Sequence, residues 1–225
     1  MLDLTADHVN ETVYSLQMTR RALFAAAAGL ARILPAQRKD DLYRLPPNLP
    51  APVDDGACNH LPGMRVLSID LMSTANRRVN LAEVGKERTV VYCYPRTGRP
   101  DRDPPAGWNE IPGARGCTPE SCGFRDHFKE LQALGARVFG LSTQTTEYQQ
   151  EMVARLHLPF EVLSDSKLAL TKALRLPAFQ FESMTLIKRL TLILFAGGIE
   201  KVFYPVFPPD KHAEEVIAWL SRNRR

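Results

Sequence analysis

Apolar and polar positions along the chain alternate between a strand period and a helix period. "RTVVYCYP", 88–95, is a short apolar, β-rich run closed by proline, which predicts a strand buried on both faces. "ARVFGLST", 136–143, predicts a second buried strand and "FEVLSD", 160–165, a shorter third. Upstream, "MRVLSIDLMST" reads as a strand, "ANRR" as a turn, and "RVNLAEV" as a strand or short helix. Helical spacing links Phe124, Phe128, Leu131 and Leu134, and recurs in "TEYQQEMVARLHL", "KLALTKALRL" and "DKHAEEVIAWLSRN". "LTLILFAGGIEKVFYPV" reads as two strands around a Gly197-Gly198 turn. Strands alternating with helices, closed by a hairpin and a helix, predict an α/β layered domain with a mixed central sheet flanked by helices.

Residues 1–45 read as a separate extension and 46–225 as the compact domain. The extension holds an Ala-rich helix, and the Pro-rich "LPPNLPAPVDDGACNHLPGM" that follows it is extended. Arg20 and Arg21 precede an apolar run over 22–31, the outline of a twin-arginine export signal. Arg32 interrupts that run and no clean cleavage site follows. The expectation is a cytoplasmic protein, with periplasmic export as the alternative. No stretch of about 20 uncharged apolar residues is present, so no membrane-spanning helix is expected.

The 225 residues are 44% hydrophobic and 24% charged, with a net charge of +4, which argues against wholesale disorder. No basic stripe with interleaved aromatics is present, so no nucleic-acid partner is expected. His60, His127, His157 and His212 lack metal-ligand spacing, and neither a metal nor a cofactor is expected.

The four cysteines are too few for a disulfide scaffold in a chain this long. Cys93 falls inside a predicted strand and reads as a core residue. Cys58 lies in the extended arm and is expected to be exposed. Cys117 precedes "TPE", where Thr118 is a cap-type residue, Pro119 suits the first helical position and Glu120 is an acid. A helix start favours an anion, so the Cys117 thiol is expected to have a lowered pKa, helped by Arg115 and Arg125. Cys122 lies five residues on in the same helix. A bond between the two requires the helix start to unwind, which suits a transient disulfide; the alternative is that both stay reduced and Cys122 packs in the core.

"GCTPESCGFRD", 116–126, resembles the active-site segment of bacterioferritin comigratory protein-type peroxiredoxins. The resemblance runs from about residue 62 to the last helix and implies a thioredoxin-like fold. It implies reduction of hydrogen peroxide or organic hydroperoxides, with Cys117 as the peroxidatic and Cys122 as the resolving cysteine. An intrachain disulfide would then be recycled by a thioredoxin-like dithiol reductant, in a monomer or homodimer. Pro95 matches the proline that opens the family's loop, and Arg189 matches the arginine that steadies the thiolate, although Lys188 stands beside it.

Two departures stand out. The family's hydroxyl residue three positions before the cysteine is Ala114 here, and Thr97 is the preferred replacement ahead of Thr118. Pro95 lies 22 positions before Cys117, a far longer separation than in the family. The extra segment, "GRPDRDPPAGWNEIPGA", is expected to reshape the mouth of the site, with Trp108 covering apolar surface. Two other functions stay open: a thiol–disulfide oxidoreductase of the same fold, for which C-x-x-x-x-C is the wrong spacing, and a non-catalytic interaction protein.

Overall fold

A computed structural model describes residues 41–84 and 87–224. The Ala-rich segment and the twin arginines lie outside the described residues. The strands are β1 (Asp70–Ser73), β2 (Arg78–Asn80), β3 (Arg88–Cys93), β4 (Ala136–Ser142), β5 (Val162–Ser164), β6 (Ala178–Phe181), β7 (Met184–Ile187), β8 (Leu190–Phe195) and β9 (Gly198–Phe203). The helices are α1 (Cys117–Asp126), α2 (Phe128–Ala133), α3 (Thr146–Leu156), α4 (Ala169–Leu174) and α5 (His212–Arg222).

Seven strands form one sheet in the order β2-β1-β5-β4-β3-β8-β9. β3 is central, parallel to β4 and antiparallel to β8, so the sheet is mixed as expected. All six residues of β3 are buried because helices or loops cover both faces. Its side chains alternate between two cores. Val91 and Cys93 join Leu61, Leu71, Leu170 and Leu174 on one face. Val90 and Tyr92 join Phe124, Met152, Val216 and Leu220 on the other. Helices α1, α3 and α5 thus pack on one face, α4 and the 58–66 arm on the other, giving the three layers of a thioredoxin-like domain.

Four elements differ from the sequence reading. The "MRVLSIDLMST" strand shrinks to β1, with Arg65 forming only an isolated bridge to Gly198. The single helix expected after Cys117 breaks at His127 into α1 and α2. A hairpin, β6–β7, occupies 178–187, where no element was expected, because its pattern is only half-buried. The β8–β9 turn is carried by Ala196 and Gly197, both at positive φ, one position earlier than the Gly-Gly pair suggested.

Cys93 lies in the core as expected, but Cys58 is a correction. It is 6% exposed, because the arm folds back onto the β1–α4 face. Burial pushes its thiol up to about 12, with Asp55 adding to the effect. Residues 42 and 45 also touch the domain: Leu42 packs beside Gly98 and Leu45 beside Gly116.

The face that carries the cysteine helix depends on one aromatic stack. Phe124 of α1 is fully buried and lies on Tyr92 at 4.5 Å between ring centres and 13° between planes. It also meets the His212 ring edge-on at 5.8 Å. Replacing it by alanine removes both contacts and opens a cavity. The Phe124→Ala variant is expected to lose about 3–5 kcal/mol of stability, read from the denaturation midpoint at unchanged m-value.

Candidate active site

Cys117 sits just past the carboxyl end of the central strand β3, where open α/β sheets place their sites. Helix α1 begins at Cys117 itself, capped by Gly116 and not by Thr118. Gly116 has φ 107°, in the left-handed region, and any Cβ there would strike the Pro209 ring. Glycine is therefore the residue that lets the chain turn into the helix with Cys117 at its first position. Thr118 becomes the second helical residue, and Gly116 provides no side-chain cap.

The sheet register delivers Arg189. Cys93 pairs with Leu190, so the residue before β8 lies beside the end of β3. Arg189 is 3% exposed and is held along its whole guanidinium. Its Nη2 donates to Cys117 Sγ at 3.1 Å and to the carbonyls of Ala114 and Arg115, each at 3.2 Å. Its Nε donates to the Gly113 carbonyl at 3.3 Å, and Nη1 pairs with Glu120 Oε2. Lys188 is directed elsewhere, bonding Asp55 at 2.7 Å. The ambiguity between the two neighbouring cations is thus resolved by geometry.

Cys117 is 3% exposed and Glu120 is fully buried, so one arginine stands between two buried acids. Burial raises the Cys117 thiol above its ordinary value; Arg189 pulls it down, Glu120 pushes it up, and the Arg96 backbone N–H pulls it down. Burial likewise raises Glu120, against Arg189 and His212. The lowered thiol expected from the helix start is therefore not what the closed pocket produces. The desolvation of the sulfur and the competition of Glu120 for Arg189 outweigh the local attraction. Arg125, expected to help, donates instead to Asp126 at 2.8 Å and to the Leu156 carbonyl at 2.9 Å. Its charge falls near Cys122, where burial raises the thiol and Arg125 and Arg155 oppose.

A cavity of about 530 Å³ opens onto Cys117, lined also by Thr118, Arg96, Arg115 and Trp108. Thr97 is 1% exposed and does not line it. Its Oγ1 donates to Gln144 Oε1 at 3.2 Å, and its backbone N–H donates to the same oxygen at 2.9 Å. Gln144 Nε2 and the Tyr148 hydroxyl both donate to the Thr97 carbonyl. The structure therefore does not bring the Thr97 hydroxyl to the sulfur. It locks the residue next to Arg96, whose backbone N–H favours the charged form of the sulfur. Thr118 and Tyr148 carry hydroxyls on the cavity wall, and that of Tyr148 is engaged by the Thr97 carbonyl. Pro95 is buried and lines a second cavity of about 380 Å³, behind Arg189.

Residues 61–217 match the Redoxin family. The chain is 30% identical to the chloroplastic peroxiredoxin Q of Sedum lineare over 152 residues, 67% of this chain and 73% of the other. It is 29% identical to peroxiredoxin Bcp of Escherichia coli, over 65% of this chain and 86% of that one. The chain belongs to the peroxiredoxin family, of the Q/Bcp type. Among solved folds, the peroxidoxin BcpB of Mycobacterium tuberculosis superposes with a TM-score of 0.60 at 22% identity, covering 74% of this chain and all of that one.

Within this peroxiredoxin, Glu120, Gln144 and Tyr148 are parts of the site that the sequence reading missed. Glu120 stood in view as a helix-start acid, and the 69 positions that separate it from Arg189 concealed their pairing. The Gln144 contact crosses between two loops and leaves no local pattern. Both cysteines lie in one intact helix, five positions apart, roughly 7.5 Å of rise, beyond disulfide reach of roughly 4.4–6.8 Å.

Glu120→Gln keeps the shape and removes the competing negative charge. In a Cys122→Ser background, alkylation of Cys117 by iodoacetamide, followed by peptide mass spectrometry, is expected to show a pH profile moved to lower pH. The sign follows from Glu120 being a raising influence on the thiol.

Proposed function

We propose that this peroxiredoxin reduces hydroperoxides with Cys117 as the attacking sulfur. The observation that carries the reading is the Arg189 Nη2 contact, 3.1 Å from Cys117 Sγ, at the inner end of a cavity. Arg189 can balance one negative charge among its neighbours. Moving a proton from Cys117 to Glu120 leaves the net charge of the three groups unchanged, so burial opposes it far less than it opposes a lone thiolate. The thiolate then accepts from Arg189 and from the Arg96 amide.

The thiolate attacks the terminal oxygen of the hydroperoxide. An S–O bond forms, the O–O bond breaks, and the leaving alkoxide takes a proton to become an alcohol or water. Cys117 is left as sulfenic acid. Arg189 donors face the oxygen that develops charge, and the Arg96 N–H adds a second donor. Thr118 lines the space where the peroxide enters, and Thr97 acts by positioning Arg96 through its bonds to Gln144 and Tyr148. Pro95 closes β3 and turns the chain into the loop.

Cys122 then attacks the Cys117 sulfur, forming the disulfide and releasing water, once the first turns of α1 have unwound. A dithiol of thioredoxin type restores both thiols by exchange. Cys58 and Cys93 are buried among apolar side chains, which leaves Cys122 as the accessible second thiol.

Three measurements test the scheme. Cys117→Ser is expected to abolish peroxide consumption with a dithiol reductant. Cys122→Ser is expected to consume about one equivalent per chain and stop as sulfenic acid. Peptide mapping of the wild-type protein after one equivalent of peroxide is expected to recover a 117–122 disulfide; a 58–117 linkage, or full turnover of Cys122→Ser with thioredoxin, refutes the resolving role.

A further inference from the structure

The cavity over Cys117 is built largely by the loop that lengthens the separation between Pro95 and Cys117. Its wall includes Arg96, Arg99, Arg102 and Arg115, with Asp101, Asp103 and Glu182. The two signs are not mixed evenly. The three carboxylate residues are exposed, as is Arg102, whereas Arg96 and Arg99 are half-buried and Arg115 is buried. Exposed charges are screened by water and salt, and partly buried ones much less. The inner wall is therefore cationic.

The half-buried arginines are held in place by aromatic rings. Arg96 lies over Trp108 at 5.8 Å, and Arg99 over Tyr148 at 4.8 Å. Among the described residues, Arg96, Arg99 and Arg102 form no salt bridge. A partly dehydrated guanidinium with no carboxylate partner is a standing demand for an anion. Hydrogen peroxide is neutral and small, and the sulfur already has Arg189. Neither the charge nor the volume of about 530 Å³ is required by the smallest peroxide. That volume lies in the range of roughly 300–1,000 Å³ typical of small-molecule sites.

Building on the peroxidase reading above, we propose that the cavity selects organic hydroperoxides that carry a carboxylate, with Arg102 drawing the anion in at the exposed mouth and the half-buried Arg99 holding it while the peroxide end reaches Cys117. Arg96 contributes its side chain to the same wall and its backbone N–H to the sulfur. The inserted loop is thus the specificity element of this enzyme, and Trp108 and Tyr148 are the platforms that aim its charges.

The experiment compares 4-carboxycumene hydroperoxide with its methyl ester, two substrates that share the same tertiary hydroperoxide group and differ by one charge. Consumption is followed at low ionic strength with dithiothreitol as reductant. The acid is expected to show kcat/KM about tenfold above the ester, at the lower end of the gain from a focused cationic cleft. That ratio is expected to fall towards one in the Arg99→Gln/Arg102→Gln double variant, and in wild type when salt is raised to about 0.5 M. The wild-type ratio and its salt dependence require no substitution, so they stand even where the double variant folds poorly. A wild-type ratio of one or less, or a preference that survives the double substitution in folded protein, overturns the proposal while leaving the peroxidase intact. If neither compound is consumed while hydrogen peroxide is turned over, the proposal is overturned; if hydrogen peroxide is not consumed either, the peroxidase reading itself is overturned.

Discussion

A single guanidinium organises this molecule's chemistry. Arg189 bonds the sulfur, the helix that carries it, and three successive carbonyls of the loop that leads to it. All three guanidinium nitrogens are occupied. The contact holds the thiol at the end of the cavity and makes its ionisation depend on Glu120. Cys117 and Glu120 behave as a coupled pair, in which a proton on one favours charge on the other. The sulfur's reactivity is then a property of three residues from two distant parts of the chain.

The sheet supplies the accuracy that this arrangement needs. Because Cys93 faces Leu190 across the β3–β8 ladder, Arg189 is placed by hydrogen-bond register. A slip by one residue would send it to the other face. Buried side chains on both faces of β3 fix that register, and the Tyr92–Phe124 stack seats α1 above it. The helix start is in turn wedged by Gly116 against Pro209. The site is therefore set by rigid elements, whereas the substrate side is set by a loop.

Much of this was legible in the residues. The β3 run, with its apolar block and closing proline, announced the central strand, and "GCTPESCGFRD" announced the helix and its cysteines. Arg189 could be named because the resemblance to the family places an arginine at the start of a later strand. What escaped shares one cause: it depends on contacts between segments far apart in sequence. Cys58 looked exposed because the arm that carries it is polar and Pro-rich; it is buried because that arm folds back on α4 and β1. The lowered thiol was inferred from a helix start and the nearby Arg115 and Arg125, and burial together with Glu120 reversed it. Thr97 was the right residue type in a promising place, yet its hydroxyl was already taken by Gln144. The β6–β7 hairpin left only a faint pattern because its faces are half-covered.

Trp108 was read as a residue that covers apolar surface, and it does so, packing against Phe179 and Phe181 with 5% of its surface exposed. It is also a wall of the cavity over Cys117, beneath the Arg96 guanidinium. Trp219, the other indole, lies on α5 against Arg88 and Phe203. The molecule consequently carries a built-in optical gauge. Emission from the first indole registers whatever enters, leaves or rearranges beside the thiol, over the background of the second.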